Sequence, residues 1–231
     1  MRRTLTVLAT AMVALAATGS AQAVGLGDLI SSGDPIRVGD KVFENWSLLE
    51  DANFAGVLND IDVSGLDDGG DYGLLFNGAA SAFQGFGDLC FGFSVGVAPG
   101  SGMQMVGASF AMSGVDTGEI WGGTEDIYAA APEGCPLSGA GALLSLEVDD
   151  LLSATDSGGF AGRSSIFVVK NIFWDDFDQC APDDDDDGCF ALIDSFEQRF
   201  AQRAVEAPEP GTLALLGLGL AGLAGLRRRR R

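Results

Sequence analysis

Positions 88–98 restrict the fold of this chain more than any other stretch. Large apolar side chains fall on Leu89, Phe91, Phe93, Val95 and Val97, while Cys90, Gly92, Ser94 and Gly96 occupy the positions between them. A period of two describes a β-strand with one apolar face; on a helix the same residues would be scattered around the axis. Similar runs cover 41–49, 61–66, 72–76, 103–115, 120–128, 143–148, 164–174 and 190–200. Clusters such as Asp67-Asp68-Gly69-Gly70, Ala98-Pro99-Gly100 and Asp156-Ser157-Gly158-Gly159 read as turns between them. Nine short strands with no intervening amphipathic helix predict an all-β fold, an antiparallel β-sandwich of jelly-roll-like type.

The last run supports two patterns. Phe190, Leu192, Phe196 and Phe200 fit a period of two, whereas Phe190, Ile193, Phe196 and Phe200 fit one face of a helix.

Both ends differ from this β-rich body. Arg2 and Arg3, an apolar stretch over 5–17 and the small-x-small sequence Ala21-Gln22-Ala23 make 1–23 a secretory signal peptide, with cleavage expected after Ala23. The flanks of Arg2-Arg3 are a poor twin-arginine match, so the general secretory translocon is the expected export route. At the other end, Pro208-Glu209-Pro210 forms a stiff, non-helical segment. Positions 211–226 are uncharged, and Leu, Ala and Gly fill all of them except Thr212. Arg227, Arg228, Arg229, Arg230 and Arg231 follow. At 1.5 Å per residue this predicts a short transmembrane helix of roughly 24 Å, below the ~20 residues that span a bilayer comfortably. The arginines would stay on the cytoplasmic side and leave the body outside.

This tail resembles the PEP-CTERM sorting signal of bacterial exported proteins, in its Pro-Glu-Pro, its apolar helix and its arginine cluster. The resemblance covers 207–231. It implies processing near Pro208-Glu209-Pro210 by an exosortase-type membrane enzyme, in bacteria that make extracellular polysaccharide and biofilm. It also implies a transient membrane anchor followed by a cell-surface or extracellular fate. Ile172-Phe173 and the segment Ser195-Phe196-Glu197-Gln198-Arg199-Phe200 are similar to the closing segments of a group of PEP-CTERM exported domains associated with a β-sandwich, which favours a strand for the last run.

The exported domain, 24–206, carries six basic residues against 32 acidic ones, a formal charge of −26. So acidic a surface repels nucleic acid and anionic lipid and favours solubility or cations. Four cysteines in an exported chain favour disulfides, with three connectivities open. Cys180 and Cys189 bracket one short loop, which suggests local pairing and leaves Cys90 for Cys135. Within that loop Asp183, Asp185, Asp187 and Gly188 follow the alternate spacing of a calcium loop, and Asp194 stands at its twelfth position. A solvated acidic hairpin tip accounts for the same run.

Two motif matches carry no chemistry. Gly92-Phe93-Ser94-Val95-Gly96 fits a nucleophile elbow, but it lies inside a strand and the chain has no histidine to serve as base. Gly217-Leu218-Gly219-Leu220-Ala221-Gly222 fits a dinucleotide fingerprint, but it lies inside the tail helix. Paired carboxylates such as Glu125-Asp126, or Glu147 with Asp149, would suit a glycosidase only if they faced each other across a groove. The expectation is therefore a non-enzymatic surface or extracellular-matrix protein without a required cofactor. A polysaccharide-binding module is the alternative; it would use exposed aromatics such as Trp46, Trp121, Tyr128 or Trp174, with calcium as the candidate ion.

Overall fold

The computed structural model describes residues 23–51, 58–78, 87–116, 120–136, 139–149, 153–175 and 191–205. Most of the expected signal peptide, Cys180, Cys189, Asp183, Asp185, Asp187 and the whole expected sorting signal lie outside the described residues. Ala23, at the expected cleavage point, is exposed immediately ahead of the first strand. No helix among the described residues is long and apolar enough to cross a membrane.

The described chain is all-β and forms two six-stranded sheets. Sheet one has, in spatial order, β1 (Val24–Gly25), β4 (Asp62–Asp68), β5 (Asp71–Asn77), β12 (Ala191–Ala204), β7 (Met103–Asp116) and β10 (Thr155–Arg163). Sheet two has β2 (Ile36–Val38), β3 (Lys41–Asp51), β6 (Gly87–Val97), β11 (Ser165–Asp175), β8 (Ile120–Tyr128) and β9 (Leu144–Asp149). Every paired strand is antiparallel. The alternation at 88–98 directs Leu89, Phe91, Phe93 and Val95 into the space between the sheets, where all are buried. Phe43 and Phe93 from sheet two meet Phe76, Phe196 and Phe200 from sheet one there. Phe76 stacks on Phe196 at 4.5 Å, Phe43 meets Phe200 at 6.1 Å, and Phe76 meets Phe91 at 5.6 Å. Each such ring contributes about 1.5–3 kcal/mol on burial, so this layer is the main force holding the sheets face to face.

The closing run is a strand, and its double periodicity has a structural cause. β12 carries a register shift between Ile193 and Ser195. Ile193 is buried on one side of that bulge, and Phe196, Gln198 and Phe200 are buried on the other. One extra residue moves the buried set from odd to even positions, and the resulting 193, 196, 200 spacing imitates a helix.

One expectation is corrected. Asp156-Ser157-Gly158-Gly159 is not a turn: it pairs residue by residue with β7 as the edge strand β10. An edge strand with one solvated face tolerates Gly, Ser and Asp because little side-chain packing is asked of it. Among the described residues there is also one α-helix, α1 (Leu26–Ser32), ahead of the first expected strand; it buries Leu26 and Leu29 and ends at Gly33, whose left-handed φ of 72° lets its N–H donate to the Leu29 carbonyl.

Charge also enters the interior. Lys41 and Lys170 are the only lysines in the chain, and both are fully buried. Lys41 Nζ donates to Asp40 and to Gln202 of β12, and lies 5.5 Å from the Tyr72 ring, clasping one end of the two sheets together.

Two glycines test the packing. A Cβ on Gly73 would stand 1.8 Å from the backbone oxygen of Gln198, whereas a Cβ on Gly96 would have nothing within 4 Å. Gly73→Ala is expected to force β5 away from β12 and cost at least about 1–3 kcal/mol. Gly96→Ala should stay within about 0.5 kcal/mol of wild type. Urea unfolding of the two variants checks the difference.

Candidate functional site

Glu125 and Asp126 adjoin in sequence, but β8 sends neighbouring side chains to opposite faces. They therefore cannot act as one acid–base pair. Glu125 points inward. It stands opposite Lys170 in the β8–β11 register and accepts a hydrogen bond from Lys170 Nζ on Oε2. Its Oε1 accepts from Gln198 Nε2 at 2.7 Å, and Gln198 belongs to the other sheet. Glu125, Lys170 and Gln198 are all fully buried. Lys170 Nζ lies 3.6 Å from the Phe110 ring centre and 5.9 Å from that of Phe196, while Gln198 Oε1 has no hydrogen-bond partner.

Burial sets the electrostatics of this triad. It pushes the Glu125 carboxyl above the ordinary carboxylate range, although Lys170 pulls the other way. It also brings the Lys170 amine down to about 8, against the opposing attraction of Glu125. Desolvating each ion costs several kcal/mol, and mutual attraction must offset that. The sequence held one signal of the arrangement. Lys170 shares the core-facing parity of Ile166, Val168 and Ile172, and Glu125 that of Trp121 and Ile127. Which charge met which depended on strand register.

Asp126 serves the outer face of sheet two. Both its oxygens accept from the Gly139 N–H, at 3.1 and 3.0 Å, and the Tyr128 hydroxyl donates to it at 3.4 Å. The structure joins Cys90 to Cys135 across 45 residues of sequence, the second of the two pairings suggested by the sequence. Cys90, Tyr128, Phe167 and Val169 form a small apolar cluster here, with Leu49, Cys135 and Ala142 packed against it. The segment after β8 is thus fastened over the sheet by one disulfide and one carboxylate. By chain entropy a closed loop of that length contributes about 4 kcal/mol.

The outer face of sheet one is more open. Asp71, Ser109, Ser157, Gly158, Arg199 and Ala201 line a shallow cavity of about 350 Å³. Arg199 is held there by Glu197 at 3.2 Å and Asp68 at 3.3 Å. A second cavity, of about 250 Å³, lies at the end of sheet two beside Asn45, Ser94 and Phe167. Asn45 has a φ of 58° and donates to Ser94 Oγ at 3.3 Å. Ser94 is a strand residue of β6, as its alternation implied.

The other candidates from the sequence separate. Trp46, Trp121 and Tyr128 are buried, at 6%, 4% and 6% exposure, so none offers a face to a sugar. Trp46 instead stacks on Phe93 at 4.7 Å. The Trp174 side chain lies outside the described residues. Glu147 is exposed and Asp149 half-buried along β9 at the sheet edge. Asp194, the one described member of the calcium-loop set, is exposed at the β12 bulge, and its carbonyl accepts from the Gly78 N–H.

The described body is thus an all-β, two-sheet structure whose charged triad is sealed inside. Residues 206–230 match the PEP-CTERM protein-sorting motif, so the chain carries that sorting signal. The motif indicates export and processing of the C-terminus by exosortase, a membrane enzyme. No curated protein matches the chain.

Tyr128 supplies a pH test of the fastened face. Burial, followed by the adjacent Asp126 carboxylate, pushes its hydroxyl up to about 12. A phenol that holds its proton more tightly folded than unfolded contributes stability that is complete below its unfolded value of about 10. That contribution is lost as pH rises towards 12. Alkaline titration followed by phenolate absorbance should show Tyr128 ionising near pH 12, and Tyr128→Phe should abolish that step.

Proposed function

We propose that the chain is a non-enzymatic exported protein, sorted through its C-terminal signal and serving at the cell surface or in the extracellular matrix. The match of 206–230 to the PEP-CTERM motif carries this reading. In it Glu209, between Pro208 and Pro210, is the recognised residue, the apolar helix holds it at the membrane, and the five terminal arginines stop transfer. The signal peptide over 1–23 would supply the entry to the translocon. All the basic charge outside the body then belongs to the targeting ends, and the acidic body is what is delivered.

The body supports a structural role. β5 to β12 follow the orders β5-β12-β7-β10 and β6-β11-β8-β9. Eight strands wound in that way as two Greek keys correspond to a jelly roll, and β1 to β4 extend both sheets on one side. A nucleophile or an acid–base pair needs access to substrate. Glu125 and Lys170 have none, Asp126 is committed to the Gly139 amide, and Ser94 has no histidine beside it.

Polysaccharide binding is the second reading, and the sheet-one cavity favours it. Asp71, Ser109, Ser157 and Arg199 offer donors and acceptors matched to sugar hydroxyls, on a shallow face rather than an aromatic shelf. If that reading holds, Arg199→Ala should reduce retention on immobilised extracellular polysaccharide at least about tenfold, the scale of a charge-assisted hydrogen bond. Equal retention of variant and wild type would remove it.

The sorting reading is tested by fractionating cells that express a body-tagged chain, intact or with Glu209→Ala. The intact chain is expected in the surface or medium fraction without its tail. The variant should accumulate uncut in the inner membrane; identical maturation of the two would overturn the reading.

A further inference from the structure

The triad between the sheets suggests a reaction rather than a simple ion pair. One carboxylate, Glu125, holds an amine on one oxygen and a primary carboxamide on the other, since Lys170 Nζ donates to Oε2 and Gln198 Nε2 to Oε1. All three side chains are fully buried, shielded from bulk solvent. Phe110 lies directly under the amine and Phe196 close by. The carboxamide oxygen, Gln198 Oε1, is buried without a partner, so the amide is held only through its Nε2 on Glu125. The three residues come from β8, β11 and β12, all interior strands of their sheets, so the rigid core holds the amine and the amide on the two oxygens of one carboxylate.

We propose that Lys170 and Gln198 join in an intramolecular isopeptide bond, with Glu125 relaying the protons. Glu125 first takes a proton from the Lys170 ammonium, giving a neutral amine and a neutral carboxylic acid. The amine nitrogen attacks Gln198 Cδ, and the Nζ–Cδ bond forms. Glu125 passes its proton to Nε2 as the Cδ–Nε2 bond breaks, and takes up the remaining proton from Nζ. The products are a secondary amide, one ammonia molecule and a protonated Glu125. Atoms and charge balance, with no oxidant or other reactant.

Burial favours each stage. It disfavours both charged forms at the outset, bringing the Lys170 amine down to about 8 and pushing the Glu125 carboxyl up. The product replaces a desolvated ion pair with neutral groups, and the protonated Glu125 can donate to the new amide oxygen. Loss of ammonia to solvent makes the step irreversible. The bond would link β11 of sheet two to β12 of sheet one, between strands that share no backbone ladder.

Peptide mapping of the purified, folded full-length protein, reduced and denatured only at digestion, decides the proposal. Trypsin should fail to cut after Lys170 and yield one segment, 164–199, lighter than its sequence mass by one ammonia. A second protease cutting between the two residues should leave two fragments joined through Lys170 and Gln198. Glu125→Gln should restore the full mass and cleavage after Lys170. Gln198→Leu, which fills the same space without a leaving amide, gives a second unlinked control should the first variant fail to fold. Wild-type protein cut normally after Lys170 at full mass would overturn the proposal. So would a link to Glu125 with loss of water instead of ammonia.

Discussion

Contact between the phenylalanines of the two inner faces is the interaction on which the other features depend. Phe43, Phe91 and Phe93 on one sheet and Phe76, Phe110, Phe196 and Phe200 on the other exclude water from the space between them. That exclusion gives the Glu125–Lys170–Gln198 triad its character. The same three side chains on a solvated face would be an ordinary ion pair beside an amide, worth little. In a dry layer they are costly, rigidly placed and mutually polarised. The layer also explains why the outer face of sheet one can stay open, since the contact between the sheets does not depend on it.

The two outer faces are finished differently. On sheet two, Cys90–Cys135 and the Asp126–Gly139 contacts hold a covering segment over a small apolar cluster. On sheet one, small residues of β7 and β10 lie open beside Arg199 and Asp71. Exposed acids such as Asp34, Glu44, Asp62, Glu147 and Asp194 carry part of the acidic surplus to solvent. Such a surface keeps an exported body soluble and apart from anionic lipid, and it leaves attachment to the membrane to the sorting tail.

Much of the architecture could be read from the sequence because strand parity is local. Positions 88–98 gave β6 and its inward face directly, and β7, β8 and β11 followed within a residue or two. β10 was missed because its Asp-Ser-Gly-Gly sequence is that of a turn, and only pairing with β7 makes it a strand. β12 was ambiguous because a bulge at Ile193 broke its parity. The triad was illegible for a different reason. Each member could be placed on an inward face by its neighbours, but bringing Glu125 to Lys170 and Gln198 needs the order of strands in two sheets, which no local pattern encodes. The tail was the reverse case, since its information lies in a short linear motif that needs no fold to be recognised.

Sealing both lysines inside the body has a consequence for attachment. Positive charge on the described exterior is carried by guanidinium groups alone, and no side-chain amine is presented to a neighbour. Acyl-transfer chemistry that joins surface proteins to one another or to a matrix through lysine would find no nucleophile on the flanks of this domain. Connections that need an amine from this chain would have to be made at its N-terminus, so through such bonds the folded body would hang from an end rather than be welded along its sides.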